Sequence, residues 1–136
     1  MVTIITGNKG SGKTKLLVER VSAAVQASDG SVIFIEQKRK LIYEVPSSAR
    51  LIASNDYQIA GYDAFYGFIC GICSQDHDIT DMFVDATLRI GGRDYAALAV
   101  FLLKLTALEK NITLTISADK SELPQEIFEF CQEIEF

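Results

Sequence analysis

The chain has 136 residues, 49% of them hydrophobic, with a net charge of −5 and three cysteines. Its length and apolar content are those of a single domain, residues 1–136, large enough to bury a core. The acidic balance excludes a general nucleic-acid binder, and no run approaches the ~18 apolar residues that a membrane span needs. Val2-Thr3-Ile4-Ile5-Thr6 reads as a buried strand. A helix follows from Gly12, with Leu17, Val21, Ala24 and Val25 at helical spacing, and it ends near Ser28-Asp29-Gly30. Ser31 to Glu36 is apolar on both faces, as an interior parallel strand is. Leu41-Ile42-Tyr43 is a candidate short strand, Pro46-Ser47-Ser48 a turn, and Arg50 to Ser54 a further strand. Tyr62 to Cys73 reads as an aromatic-rich helix, and Gln75 to Asp78 as a polar connection. Asp81 opens a strand that runs through Met82, Phe83 and Val84 to Asp85. The longest helix is expected over Asp94 to Lys110, with Asp94 as N-cap and Asn111 as stop. Ile112 to Ser117 is a strand, Pro124 opens a last helix to about Cys131, and Ile134 to Phe136 is a terminal edge strand. Alternating strands and helices predict an α/β domain with a mainly parallel sheet of about five strands in a three-layer sandwich.

Gly7-Asn8-Lys9-Gly10-Ser11-Gly12-Lys13-Thr14 fills every fixed position of the phosphate-binding pattern G-x-x-x-x-G-K-[ST], between a strand and a helix as the pattern requires. Glycines let backbone N–H groups from Asn8 to Lys15 converge on one point, where the helix N-terminus adds partial positive charge. Lys13 can neutralise outer phosphate oxygens, and the Thr14 hydroxyl can ligate Mg²⁺. Asp85, at the end of a buried strand, is the candidate acid for the same metal shell. Charge follows this division. Positions 1–50 carry eight Lys/Arg against four Asp/Glu, and positions 51–136 carry five against fourteen.

The loop GNKGSGKT, the strand DMFVD and the polar-ended strand ITLTIS, in that order, resemble a RecA-like P-loop NTPase. Among smaller relatives the layout is similar to the corrinoid adenosyltransferase and thymidine kinase branches. The opening TGNKGSGKT and the closing SADKSELPQEIFEFCQEIEF carry that likeness. The resemblance implies ATP with Mg²⁺ as ligand, with ATP over GTP because no N-K-x-D signature is present. It also implies that the strand after the acid-bearing one lies between it and the opening strand, with Ser117 either at a sensor position or a simple strand-end hydroxyl. Hydrolytic members commonly carry Glu directly after the strand-end Asp. Here Ala86 stands in its place. Glu36, at the end of the second strand, is either the substitute base or a solvated strand-exit residue.

Other chemistry-bearing residues stay open between two readings. Cys70 and Cys73, with His77 and Cys131, are either core cysteines and a surface histidine or the ligands of a metal or redox site. Tyr57, Tyr62, Phe65, Tyr66 and Phe68 are either core or include a base stacker. Arg89 and Arg93, in the loop after Asp85, are either solubilising or reach a γ-phosphate. Gly91-Gly92 gives that loop freedom to move. Lys38-Arg39-Lys40 is a solvated run or a patch. The residues admit slow or partner-stimulated hydrolysis, phosphoryl or adenosyl transfer, or non-catalytic nucleotide binding, alone, as a homo-oligomer or with a protein partner. Sparse cysteines and an apolar start without a basic leader point to the cytoplasm.

Overall fold

The computed structural model describes all 136 residues. Six parallel strands form one sheet: β1 (Val2–Thr6), β2 (Ser31–Glu36), β3 (Arg50–Ala53), β4 (Ile79–Asp85), β5 (Asn111–Ile116) and β6 (Gln132–Glu135). Their order across the sheet is β3-β2-β4-β5-β1-β6. Five α-helices connect them: α1 (Lys13–Ala27), α2 (Tyr62–Gln75), α3 (Thr87–Gly91), α4 (Tyr95–Thr106) and α5 (Ile127–Phe130). Because every pairing is parallel, all strands end on one side, where open α/β sheets keep their ligand crevice. β5 lies between β4 and β1, as the resemblance implied.

Period-2 alternation sorts the strand residues between two cores. Ile5, Val32, Phe34 and Phe83 pack with Leu17 and Val21 of α1 and with Val45 and Ala49. Ile4, Ile33, Ile35, Met82, Val84 and Leu114 pack on the other face beneath α2, α4 and α5. Phe101 sits at the centre of that second core, with ring centroids 5.1 Å from Tyr62 and 4.9 Å from Phe65. Aromatic pairs of this kind add ~0.5–1.5 kcal/mol beyond burial. No helix is long and apolar enough to cross a membrane.

The sheet has six strands where about five were expected; the terminal edge strand, expected over Ile134 to Phe136, runs over Gln132–Glu135 and pairs in parallel with β1. Leu41-Ile42-Tyr43 is a turn and not a strand. β2 already has β3 and β4 as neighbours, and the turn's backbone N–H groups find the Glu36 carboxylate instead. β4 begins at Ile79, earlier than its apolar stretch, because Ile79 already pairs with Ser31 of β2. α4 keeps the Asp94 cap, whose side chain accepts from the Ala97 N–H, but stops at Thr106. Beyond it Glu109 takes a left-handed φ of 55°, which ends a right-handed helix. The last helix shrinks to Ile127–Phe130.

The segment after Asp85 is helical rather than a free loop. Gly91 lies hard against Tyr62: a Cβ there would sit 2.0 Å from the ring. The ring cannot retreat. It packs on Phe101, and its hydroxyl donates to the Gly92 carbonyl at 2.6 Å. Gly91 therefore permits close packing, not movement. Gly91→Ala is expected to lower stability by ~1–3 kcal/mol, the usual cost of overpacking, despite a helix-propensity gain of ~1 kcal/mol. A urea denaturation midpoint at or above that of the unmodified chain would refute this.

Candidate functional site

The Gly7–Thr14 loop joins β1 to α1 at the carboxyl edge of the sheet. Three of its glycines have left-handed or otherwise glycine-favoured φ: 150° at Gly7, 84° at Gly10 and 100° at Gly12. Gly7 is also required by close approach, since a Cβ would meet the Phe136 carbonyl oxygen at 2.7 Å. Gly12 caps α1 without a side-chain bond, so the first N–H groups of a 15-residue helix open towards the cleft with the positive end of its dipole.

A cleft of about 420 Å³ opens here. Lys9, Gly10, Lys13, Thr14, Asp85 and Ser117 are among the residues that line it. Asn8 contributes its carbonyl and Ser11 its hydroxyl to hold Lys13, whose Nζ donates to them at 2.8 and 3.3 Å. Lys15 is exposed on the first turn of α1, outside the lining.

Lys13 is the unusual group. It is 5% exposed, and its ammonium meets only neutral acceptors. The two ion pairs of the chain, Arg39–Asp56 and Lys120–Glu133, do not include it. Burial lowers its pKa from the ordinary lysine value, and the charge of Asp85 offsets that in part. A buried cation without a bonded counter-charge is costly unless an anion completes it. With a polar cleft and a helix N-terminus beside it, the arrangement suits a polyphosphate.

Asp85 ends β4, level with Glu36 at the end of β2. The Thr14 hydroxyl lies 3.2 Å from both Asp85 carboxylate oxygens. The Thr115 hydroxyl donates to Oδ1 at 2.6 Å. Thr14 and Asp85, a hydroxyl and a carboxylate one hydrogen bond apart, form a hard-oxygen pair suited to Mg²⁺, which takes one or two protein oxygens beside substrate phosphates. The peptide between Asp85 and Ala86 is cis. Thr115 escaped the sequence reading. Its only signal was a threonine that alternates with Ile112, Leu114 and Ile116 near the end of the strand.

Glu36 is 3% exposed, and its two carboxylate oxygens accept the N–H groups of Lys40 and Leu41 at 3.2 and 3.1 Å. It is no solvated strand-exit residue: it clamps the turn that follows β2. Burial raises its pKa above the usual carboxylate value, against those two hydrogen bonds. Glu36→Gln replaces one acceptor by a donor facing an N–H. The expected cost is ~1–3 kcal/mol of stability, for one backbone N–H left without its partner. Equal denaturation midpoints for the two proteins would contradict that.

The aromatic candidates do not line the cleft. Tyr62 and Phe65 pack on Phe101, Tyr57 pairs with Phe68, and Tyr66 lies under Lys104. Cys73 points its thiol at the Met82 sulfur, Cys131 is buried, and His77 is exposed. These residues do not converge, and no group of three or more His, Cys, Asp or Glu is placed to hold a metal ion. Arg89, on α3, lines the cleft, while Arg93 lies in a neighbouring pocket with Lys9 and Ser117. No protein-family model matches the chain, and no curated protein matches it.

Proposed function

We propose that the chain is a RecA-like P-loop protein that binds a nucleoside triphosphate, ATP, together with Mg²⁺. The observation that carries this reading is Lys13: a buried ammonium held by neutral acceptors at a helix N-terminus. Backbone N–H groups from Asn8 to Lys15 cradle the phosphates, and Lys13 neutralises their outer oxygens. Thr14 and Asp85 would hold the metal, which supplies charge neutralisation when bound. Thr115 orients Asp85. Ser117 and Arg89 face the same cleft.

Turnover by water is proposed to be slow without a partner or second copy. Ala86 cannot accept a proton, and Glu36 already accepts two backbone N–H groups. A working general base is worth ~10²–10⁴-fold. Titration calorimetry of ATP with and without Mg²⁺, followed by phosphate release on the same protein, tests both parts. Absence of ATP binding at millimolar nucleotide would end the reading. Rapid phosphate release by the isolated chain would end the assignment of slow turnover.

A further inference from the structure

Beyond Thr14 and Asp85 the cleft continues into a second cavity of about 170 Å³ that shares Thr14, Asp85, Ala86 and Arg89 with the first. Its remaining wall is the turn after β2, from Glu36 to Leu41. The basic run divides there. Arg39 turns away to Asp56, 3.1 Å distant, whereas Lys38 and Lys40 line the cavity and neither forms an ion pair. Arg89 closes the opposite side, and the Gln37 side chain ties the turn to α3 by donating to the Arg89 carbonyl at 3.1 Å. The acids of the wall are engaged: Glu36 by two backbone N–H groups, Asp85 by Thr14 and Thr115. Three cations thus face a small space next to where the terminal phosphate of a nucleotide at Lys13 would end.

We propose that this second cavity is an acceptor subsite for a phosphate monoester, to which the protein transfers the terminal phosphoryl group of ATP. The inference rests on the nucleotide site proposed above. Two observations point to an anionic acceptor over an alcohol. Three cations outnumber the two carboxylates of the wall, one of which would face the metal, and so suit an anion; an arginine fork suits phosphate. The absence of a free base then ceases to be a defect. An alcohol must lose a proton to attack, but a phosphate oxyanion carries none. One of its oxygens forms the new bond to the γ-phosphorus. The bond from that phosphorus to the β–γ bridging oxygen breaks, and ADP leaves with the electron pair. A monoester dianion and ATP⁴⁻ become a diphosphate and ADP, both trianions, with no proton released or consumed. Positioning and charge neutralisation suffice for such a transfer.

The test uses ribose 5-phosphate as probe, with ribose and succinate as controls. Calorimetry on the whole chain should show ribose 5-phosphate binding, neither control binding, and binding weakened about tenfold or more in a Lys38→Ala/Lys40→Ala variant. ATP affinity, measured on the same samples, should be equal in the variant and the unmodified chain. Phosphorus NMR of a mixture with ATP and Mg²⁺ should show a new phosphoanhydride only with the monoester. ATP binding with no effect of ribose 5-phosphate would overturn the acceptor subsite alone. Binding of succinate in place of the monoester, or transfer to ribose, would overturn the acceptor class. Failure to bind ATP at all would overturn the nucleotide site and the transfer with it.

Discussion

Replacement of Lys13 by alanine is expected to weaken ATP binding by roughly 10- to 150-fold, the worth of one or two hydrogen bonds to a charged group. The fold should survive, because Lys13 makes no ion pair and its two hydrogen bonds stay within its own loop. Removing a buried cation that lacks a bonded counter-charge even lifts a cost in the ligand-free protein. The pH dependence carries the same signature. The folded pKa of Lys13 lies below the ordinary lysine value that the unfolded chain has. Between the two values the unfolded chain holds a proton that the folded chain has lost, so this residue's contribution makes stability rise with pH across that window. A bound polyphosphate favours the charged form and raises the pKa again. Binding should therefore take up protons in alkaline solution, visible as a buffer-dependent heat that the alanine variant lacks. Unchanged affinity in Lys13→Ala, with circular dichroism intact, would mean that the ammonium does not meet the ligand.

Asp85→Asn should abolish the gain in nucleotide affinity that Mg²⁺ brings, while leaving metal-free binding within about twofold of the original. The two halves separate because Asp85 contacts the loop only through the Thr14 hydroxyl. Asparagine keeps the shape and retains an oxygen for the Thr115 hydroxyl, so the buried donor at position 115 is not orphaned. Even outer-shell changes cost metal sites about 10–100-fold, and loss of a ligating carboxylate should cost at least that. Calorimetry across a magnesium titration gives the answer directly. A variant that keeps its magnesium dependence would place the metal elsewhere.

Much of this architecture is legible in the amino-acid sequence. The Gly7–Thr14 loop announces itself because its demands are local: left-handed φ at Gly10 and Gly12, a buried strand before and a helix after. Asp85 was legible for the same reason, as an acid ending an apolar run. Glu36 was visible as a strand-end acid, but its task was not. Its partners are N–H groups four and five residues on, in a turn whose Leu41-Ile42-Tyr43 looks like strand on composition alone. Gly91 misled in the opposite direction. A Gly-Gly pair suggests freedom, whereas the reason for Gly91 is an aromatic ring from a helix some thirty residues earlier.

The sequence by itself determined what depends on neighbours along the chain. It set the alternation of strands and helices, the glycine-rich turn and the acidic strand end, because backbone preference and hydrophobic period act over a few residues. Only the tertiary structure decided which side chains share a space. Parallel pairing brings Glu36 level with Asp85 and sets Thr115 beneath it. The same folding separates Lys38 and Lys40 from Arg39, because Asp56, seventeen residues away, draws off that one charge. Such meetings follow from sheet order and register, which long-range packing selects and short spacings do not encode.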